Sequence, residues 1–151
     1  MSVYPVILNS DISDMPEILE LQKKAFYPEA ALNGDMNIPP MTQTLREIQD
    51  EAAGKIFLKA LVNNKIAGSV RASSDGHTCF IGRLIVDPEL QNQGIGTALM
   101  HAVEKHFPAI ARFELFTGKS SVGNIRFYQK LGYRIFRETQ SGNVTLVFLE
   151  K

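Results

Sequence analysis

Two glycines one residue apart, Gly94 and Gly96, follow an apolar run that stops at Asp87-Pro88 and precede a stretch with helical periodicity. Glycine has no Cβ, so a ligand can approach its backbone closely. The N–H groups that open a helix have no intrahelical acceptor and point outward together. The segment Gln91-Asn92-Gln93-Gly94-Ile95-Gly96-Thr97 therefore reads as an anion site, with phosphate as its usual occupant. A dinucleotide fold would want a third glycine where Leu99 stands, and no Gly-Lys-Ser/Thr phosphate loop occurs. Farther along, Asn124 and Tyr128 are spaced to share one helix face. Cys79 is the single cysteine, with no neighbouring pattern to lower its pKa, and reads as packing rather than as a nucleophile. His77 has the pKa range of a base but follows a turn glycine, which places it in solvent. Arg83 suits a substrate carboxylate or phosphate, and equally suits an ordinary position on the sheet surface or edge.

These residues need elements to position them. Val3 to Leu8 reads as a first strand. Asp14 can cap a helix, with Pro16 in the first turn and Glu17 completing a capping-box spacing, and Pro28 marks its approximate end. Tyr27 to Met41 is long for a structureless connection. It reads either as a lid or binding loop, or as a solvated linker with a helical turn over Glu29 to Leu32. Thr42 or Thr44 opens a second helix through Ala53, closed by Gly54. Lys55 to Val62 and Ile66 to Ser73 form a hairpin around Asn63-Asn64-Lys65. Thr78 to Val86 is the strand that feeds the glycine loop, and the helix beyond the loop stops at Pro108. Phe113 to Thr117 is a strand, and Ser120-Ser121 can cap a helix to Leu131, with Gly132 in the left-handed position after it. Tyr133 to Glu138 and Val144 to Glu150 close the chain. The segment Thr78 to Thr117 should be a right-handed parallel crossover and the other strands antiparallel, giving a mixed α/β sheet in one domain over 1–151.

Composition narrows the partners. The 16 Lys and Arg balance the 16 Asp and Glu, so no broad field favours nucleic acid or an anionic membrane. A lone cysteine fits a reducing compartment. No apolar run approaches the ~18 residues of a membrane span, and the expectation is a cytoplasmic protein with a small-molecule site.

Strand, Val-Asp-Pro, Gln-x-x-Gly-x-Gly and then an Ala/Leu-rich helix resembles the acyl-CoA signature of the GNAT family of N-acetyltransferases. Asn124-Ile125-Arg126-Phe127-Tyr128-Gln129-Lys130-Leu131-Gly132-Tyr133 is similar to that family's second motif, and Asp-Met-Pro-Glu-Ile-Leu-Glu-Leu to its opening helix. The resemblance implies a mostly antiparallel central sheet with one parallel crossover, flanked by helices. It implies acetyl-CoA as acyl donor, no metal, and transfer of acetyl to a primary amine of a small molecule or peptide by direct attack in a ternary complex. Leu84, Ile85 and Val86 would pair with the pantetheine arm, and the amides of Asn92 to Thr97 would hold the pyrophosphate. Gln91, Asn124 and Phe127 would belong to the same donor site, and Tyr128 would protonate the departing thiolate. Where relatives often carry a Glu or Asp as base, this chain has Gly82 and Arg83. Glu20, Tyr27, Glu29, Asp35 or a water chain to solvent all remain candidates for that proton. Two rivals are a non-catalytic acyl-CoA sensor of the same fold and a nucleotide-binding protein without CoA chemistry. Pairing of two copies through the exposed end of Val144 to Glu150 is a further expectation.

Overall fold

In the computed structural model, which describes residues 4–151, the strands form one sheet in the order β1-β2-β3-β4-β5-β7-β6. They are β1 (Val6–Asn9), β2 (Ile56–Val62), β3 (Lys65–Ser74), β4 (Thr78–Val86), β5 (Arg112–Gly118), β6 (Arg134–Ser141) and β7 (Val144–Glu150). Val3, the expected start of the first strand, lies outside the described residues. Helices are α1 (Met15–Leu32), α2 (Pro39–Thr42), α3 (Leu45–Gly54), α4 (Ile95–His106) and α5 (Val122–Lys130). Among the described residues only β4 and β5 pair in parallel, across the crossover that contains the glycine loop and α4. The sheet is mixed α/β, as the strand pattern predicts. Asn63 and Asn64 both take positive φ (52° and 64°), the primed turn whose twist matches a hairpin.

Two cores flank the sheet. Met15, Ile18, Leu21 and Ile48 from α1 and α3 pack on Phe57, Ile66 and Ile85. Ile95, Leu99, Met100 and Val103 supply the stripe of α4 against the opposite face.

Several local expectations are corrected. Helix α1 does not stop at Pro28 but runs through it to Leu32. The proline denies a donor to the Lys24 carbonyl, and both residues lie on the exposed side, where water can satisfy that group. Asp14 makes no cap hydrogen bond to α1 and instead accepts from the Asp11 N–H at 2.9 Å. The capping box sits one turn earlier, on Asp11, while Asp14 takes Lys59 at 2.8 Å. Thr44, not Thr42, caps α3, with Glu47 returning the bond. The long connection is shorter than expected, because α1 and α2 absorb most of it. Strand β7 is not an edge: β5 and β6 pair with its two sides, so its length is not free to join a second copy.

Candidate active site

The strand that feeds the loop is irregular where it matters. Ser69 of β3 pairs with Ile85, and Arg71 with Gly82, so Arg83 and Leu84 together oppose Val70. That is a β-bulge. Arg83 takes it up with φ of 51°, a left-handed conformation that costs a non-glycine residue about 1–3 kcal/mol. On the other side, β4 and β5 pair only from Thr78/Arg112 to Phe80/Glu114. Beyond Phe80 the two parallel strands separate, and the β5-facing edge of Leu84, Ile85 and Val86 has no ladder partner.

A groove of about 610 Å³ lies at that separation, lined by Phe26, Glu29, Leu84, Ile85, Val86, Gln91, Ser121 and Asn124 among others. The glycine loop follows directly on Gln91 in the chain. Gly94 is the N-cap of α4 at φ 85°, and Asn92 takes φ 61°. The first bond of the helix is from the Ala98 N–H to the Gly94 carbonyl at 3.0 Å, and no side chain caps the helix. The N–H groups of Ile95, Gly96 and Thr97 thus stand ahead of the ladder, at the positive end of the helix dipole. Gly96 is glycine for a second reason. A Cβ there would meet the Phe127 ring at 3.3 Å and Val86 at 3.7 Å, so α4 and α5 approach one another across a missing side chain.

The residues singled out from sequence fall into three groups. Leu84, Ile85, Val86, Gln91 and Asn124 line the groove. Asn92, Gln93, Gly94, Gly96 and Thr97 make the loop and first turn of α4 that follow Gln91 in the chain, whereas the Ile95 side chain is buried in the core and offers only its amide. Gln91 is already engaged, donating from Nε2 to the Val86 carbonyl at 3.2 Å. Phe127 packs edge-on against Tyr128 and over Gly96. Tyr128 in turn packs edge-on against Tyr133. The two tyrosines differ in commitment. Tyr133 donates to Glu104 at 2.8 Å, whereas the Tyr128 hydroxyl has no hydrogen-bond partner among the described residues. Burial first, and the charge of Glu29 second, push the Tyr128 phenol well above its ordinary value.

Ser120 and Ser121 do not cap α5. Their hydroxyls instead reach across to the end of α1, Ser120 to Asn33 at 2.8 Å and Ser121 to Glu29 at 2.9 Å. Of the candidate bases, only Glu29 lines the groove. Tyr27 is 57% exposed, Glu20 lies in solvent, and Asp35 accepts from the Asn37 amide in the turn after α1. His77 is exposed at the far end of β4. Cys79 is buried in the sheet, and burial pushes its thiol up to about 11, which leaves no thiolate for nucleophilic work.

Arg71 escaped the sequence reading. It is 2% exposed and binds Glu51 at 2.7 Å, Gln43 at 3.2 Å and Gln22, with its guanidinium over the Phe57 ring. Gln22 also donates to the Pro40 carbonyl at 3.0 Å, so one buried cation fastens α1, α2 and α3 to the sheet. The available signal was a single charge inside the otherwise uncharged run Ile66 to Ser74. Arg83 lies within the field of Arg71 and Glu51, and its Nη1 is buried without a partner. The residue as a whole is half-buried on an interior strand of the sheet.

A family model, described as the acetyltransferase (GNAT) family, matches residues 15–133. The chain belongs to that family. Among relatives, it is 28% identical over 118 residues to the UPF0157 protein YqkA of Bacillus subtilis, covering 78% of this chain and 34% of the relative. The chain thus spans about a third of that protein's length. It is 26% identical over 135 residues to an uncharacterised N-acetyltransferase, MJ1530, of Methanocaldococcus jannaschii, covering 85% of this chain and 78% of the relative. The fold is that of the PaiA N-acetyltransferase from Thermoplasma acidophilum, solved in complex with coenzyme A, at a TM-score of 0.82, 18% identity and 98% coverage of both chains. Within the GNAT fold, the groove lies beside the bulge at Arg83 and the separation of β4 from β5, and the uncapped start of α4 follows shortly after in the chain. Among the described residues no cluster of metal-ligating side chains occurs, and no helix is long and apolar enough to cross a membrane.

Proposed function

We propose that this single-domain chain transfers acetyl from acetyl-CoA to a primary amine of a small molecule or peptide, by direct attack within a ternary complex. One observation carries the reading: a strand edge without a partner lines a groove, and after a short turn and loop the chain opens a helix without a side-chain cap. Those groups match the two halves of the donor. The amide-rich pantetheine arm adds to Leu84–Val86 as a strand would. The pyrophosphate rests on the loop and α4 amides from Asn92 to Thr97. The side chains of Asn124 and Gln91 face the arm. For the arm to use the Val86 carbonyl, Gln91 must swing away from it.

The chemistry asked of the protein is placement, a main-chain N–H near Val86 to polarise the thioester carbonyl, and a proton for the leaving group. Tyr128 supplies that proton. A phenol raised by burial stays protonated, and an ordinary thiol of pKa ~8.5 would be a weak base toward it. The same apolar surroundings raise the thiol too, as Cys79 shows at about 11 in this sheet, and so narrow the gap. The uncommitted hydroxyl of Tyr128 favours an enzyme over a sensor that merely holds acyl-CoA.

Calorimetry with acetyl-CoA, ATP and NAD, followed by thiol release with polyamines, amino acids, aminoglycosides and peptides with free N-termini, tests the reading. Acetyl-CoA alone should bind, and at least one amine should release CoA. Binding without thiol release would identify a sensor.

A further inference from the structure

We infer that Glu29 is the base that takes the proton from the attacking amine, and that it acts as one half of an acid–base pair with Tyr128. The inference rests on the acyl-transfer reading above and goes beyond it by naming the residue that stands in for the acid missing at Gly82 and Arg83. Three features carry it. Among the described residues Glu29 is the only carboxylate lining the groove, which it shares with Val86 and Asn124. Its Oε1 is fixed by the Ser121 hydroxyl at 2.9 Å, and it lies 3.0 Å from where a Cβ on Gly118 would stand, so the absence of a side chain there gives it room. No Lys or Arg forms an ion pair with it among the described residues, so no cation competes for it.

The position of the residue follows from α1 continuing through Pro28. Had the helix ended at the proline, Glu29 would sit in a loop. Instead it occupies the last turns of a helix clamped to the far wall by Ser121 and Ser120, and to the end of β4 by Lys24 and Asp87 at 3.4 Å.

In the step, the amine nitrogen forms a bond to the thioester carbon while one N–H proton passes to the Glu29 carboxylate. The tetrahedral adduct then collapses, the C–S bond breaks, and the sulfur takes the Tyr128 proton. Products are the amide and the free thiol. The proton on Glu29 returns to the Tyr128 phenolate, directly or through water, and restores both groups. Electrostatics links the halves. The Glu29 charge is one of the two causes holding the phenol up. Once Glu29 is neutralised by the amine proton that cause disappears, and Tyr128 becomes the stronger acid just when the thiolate leaves.

Two variants separate a base from a mere tether. Glu29→Gln keeps an oxygen to accept from Ser121 but cannot take a proton. Ser121→Ala removes the tether and leaves the carboxylate. With the fastest amine of the panel above, Glu29→Gln should lower kcat ~10²–10³-fold, the usual scale of general-base loss, with acetyl-CoA affinity by calorimetry within about threefold. Ser121→Ala should cost less than about tenfold in kcat. The reverse order, or a Glu29→Gln enzyme of near wild-type kcat, overturns the inference while leaving acetyl transfer intact. Wild-type chain that binds acetyl-CoA yet releases no thiol with any amine overturns the parent reading, and with it the need for a base.

Discussion

On one wall of the groove the chain offers main chain: the unpaired edge of Leu84 to Val86, and the amides ahead of the α4 ladder. On the facing wall it offers side chains gathered from distant segments. Glu29 of α1 meets Ser121 there, and away from the groove Gln22 of the same helix joins Gln43 and Glu51 on Arg71 of β3. The wall we assign to the donor is set by local conformation, since a bulge, a left-handed loop and a helix start need only the right residues in order. The wall we assign to the acceptor is set by tertiary contacts. A cofactor shared across many enzymes suits the first kind of wall, and an acceptor peculiar to one enzyme suits the second.

The largest test of that contrast is thermodynamic. Replacing Glu51 by Gln leaves the Arg71 guanidinium buried without a countercharge, which should cost about 3–5 kcal/mol in chemical denaturation. Burial pushes the Glu51 carboxyl up, but the hydrogen bond and charge of Arg71 outweigh it and hold the group below its ordinary value. With the folded value depressed, the stabilisation is fully present above the unfolded carboxyl value of ~4.3 and is lost as pH falls through the lower, folded one. The gap between wild type and variant should therefore be constant near neutrality and close in acid. If the variant proves as stable as wild type at pH 7, the seating of α1, which carries Glu29 to the groove, does not depend on this network.

Next in size is Tyr128→Phe. It retains the ring packing on Phe127 and Tyr133 and loses only a hydroxyl with no partner among the described residues. Thiol release should fall ~10²-fold with acetyl-CoA affinity nearly unchanged. Because the phenol lies above its ordinary ~10, wild-type activity should show no loss from Tyr128 ionisation up to that pH. Full turnover by the variant across that range would make Tyr128 a packing residue.

How far the sequence disclosed each wall follows from the same contrast. The strand Thr78–Val86 lies at its expected limits, Gly132 takes φ 99° after α5, and Gly94 takes φ 85° at the turn into α4. Each of these depends on near neighbours in the chain. Gly82, a glycine inside the strand, hints at a bulge, but that Arg83 takes the left-handed conformation shows only in its φ and in the register around Val70. The continuation of α1 past Pro28 depends on which side of the helix faces water, a tertiary fact. Ser120 and Ser121 show the limit most plainly: their spacing reads as a helix cap, yet their hydroxyls serve α1, whose end is brought to them by the fold. Arg71 could be noticed as a misplaced charge, but its partners could not be named from sequence, since Gln22 lies 49 residues away.

Gly96→Val tests the donor wall directly. Its Cβ would already press on Phe127 at 3.3 Å, and two further methyls overpack a junction between α4 and α5, typically at about 1–3 kcal/mol. Acetyl-CoA should bind at least ~tenfold more weakly by calorimetry. Affinity within twofold of wild type would mean that the helix start is not where the pyrophosphate rests.

The smallest expected effect is also the most discriminating for a wall made of main chain. Asn92 is exposed and takes φ 61°, so removing its side chain with alanine would confound a lost contact with the strain of a Cβ in the left-handed region, about 1–2 kcal/mol. Asn92→Gly avoids that, because glycine adopts the same backbone freely. Its own penalty is the extra freedom of the loop before binding, about 0.4–1 kcal/mol, or roughly two- to fivefold in affinity. An Asn92→Gly loss inside that range is accounted for by entropy alone and leaves the amides as the binding groups. A loss of ~30-fold or more exceeds what backbone freedom can supply, and would transfer the recognition from the main chain to the Asn92 carboxamide.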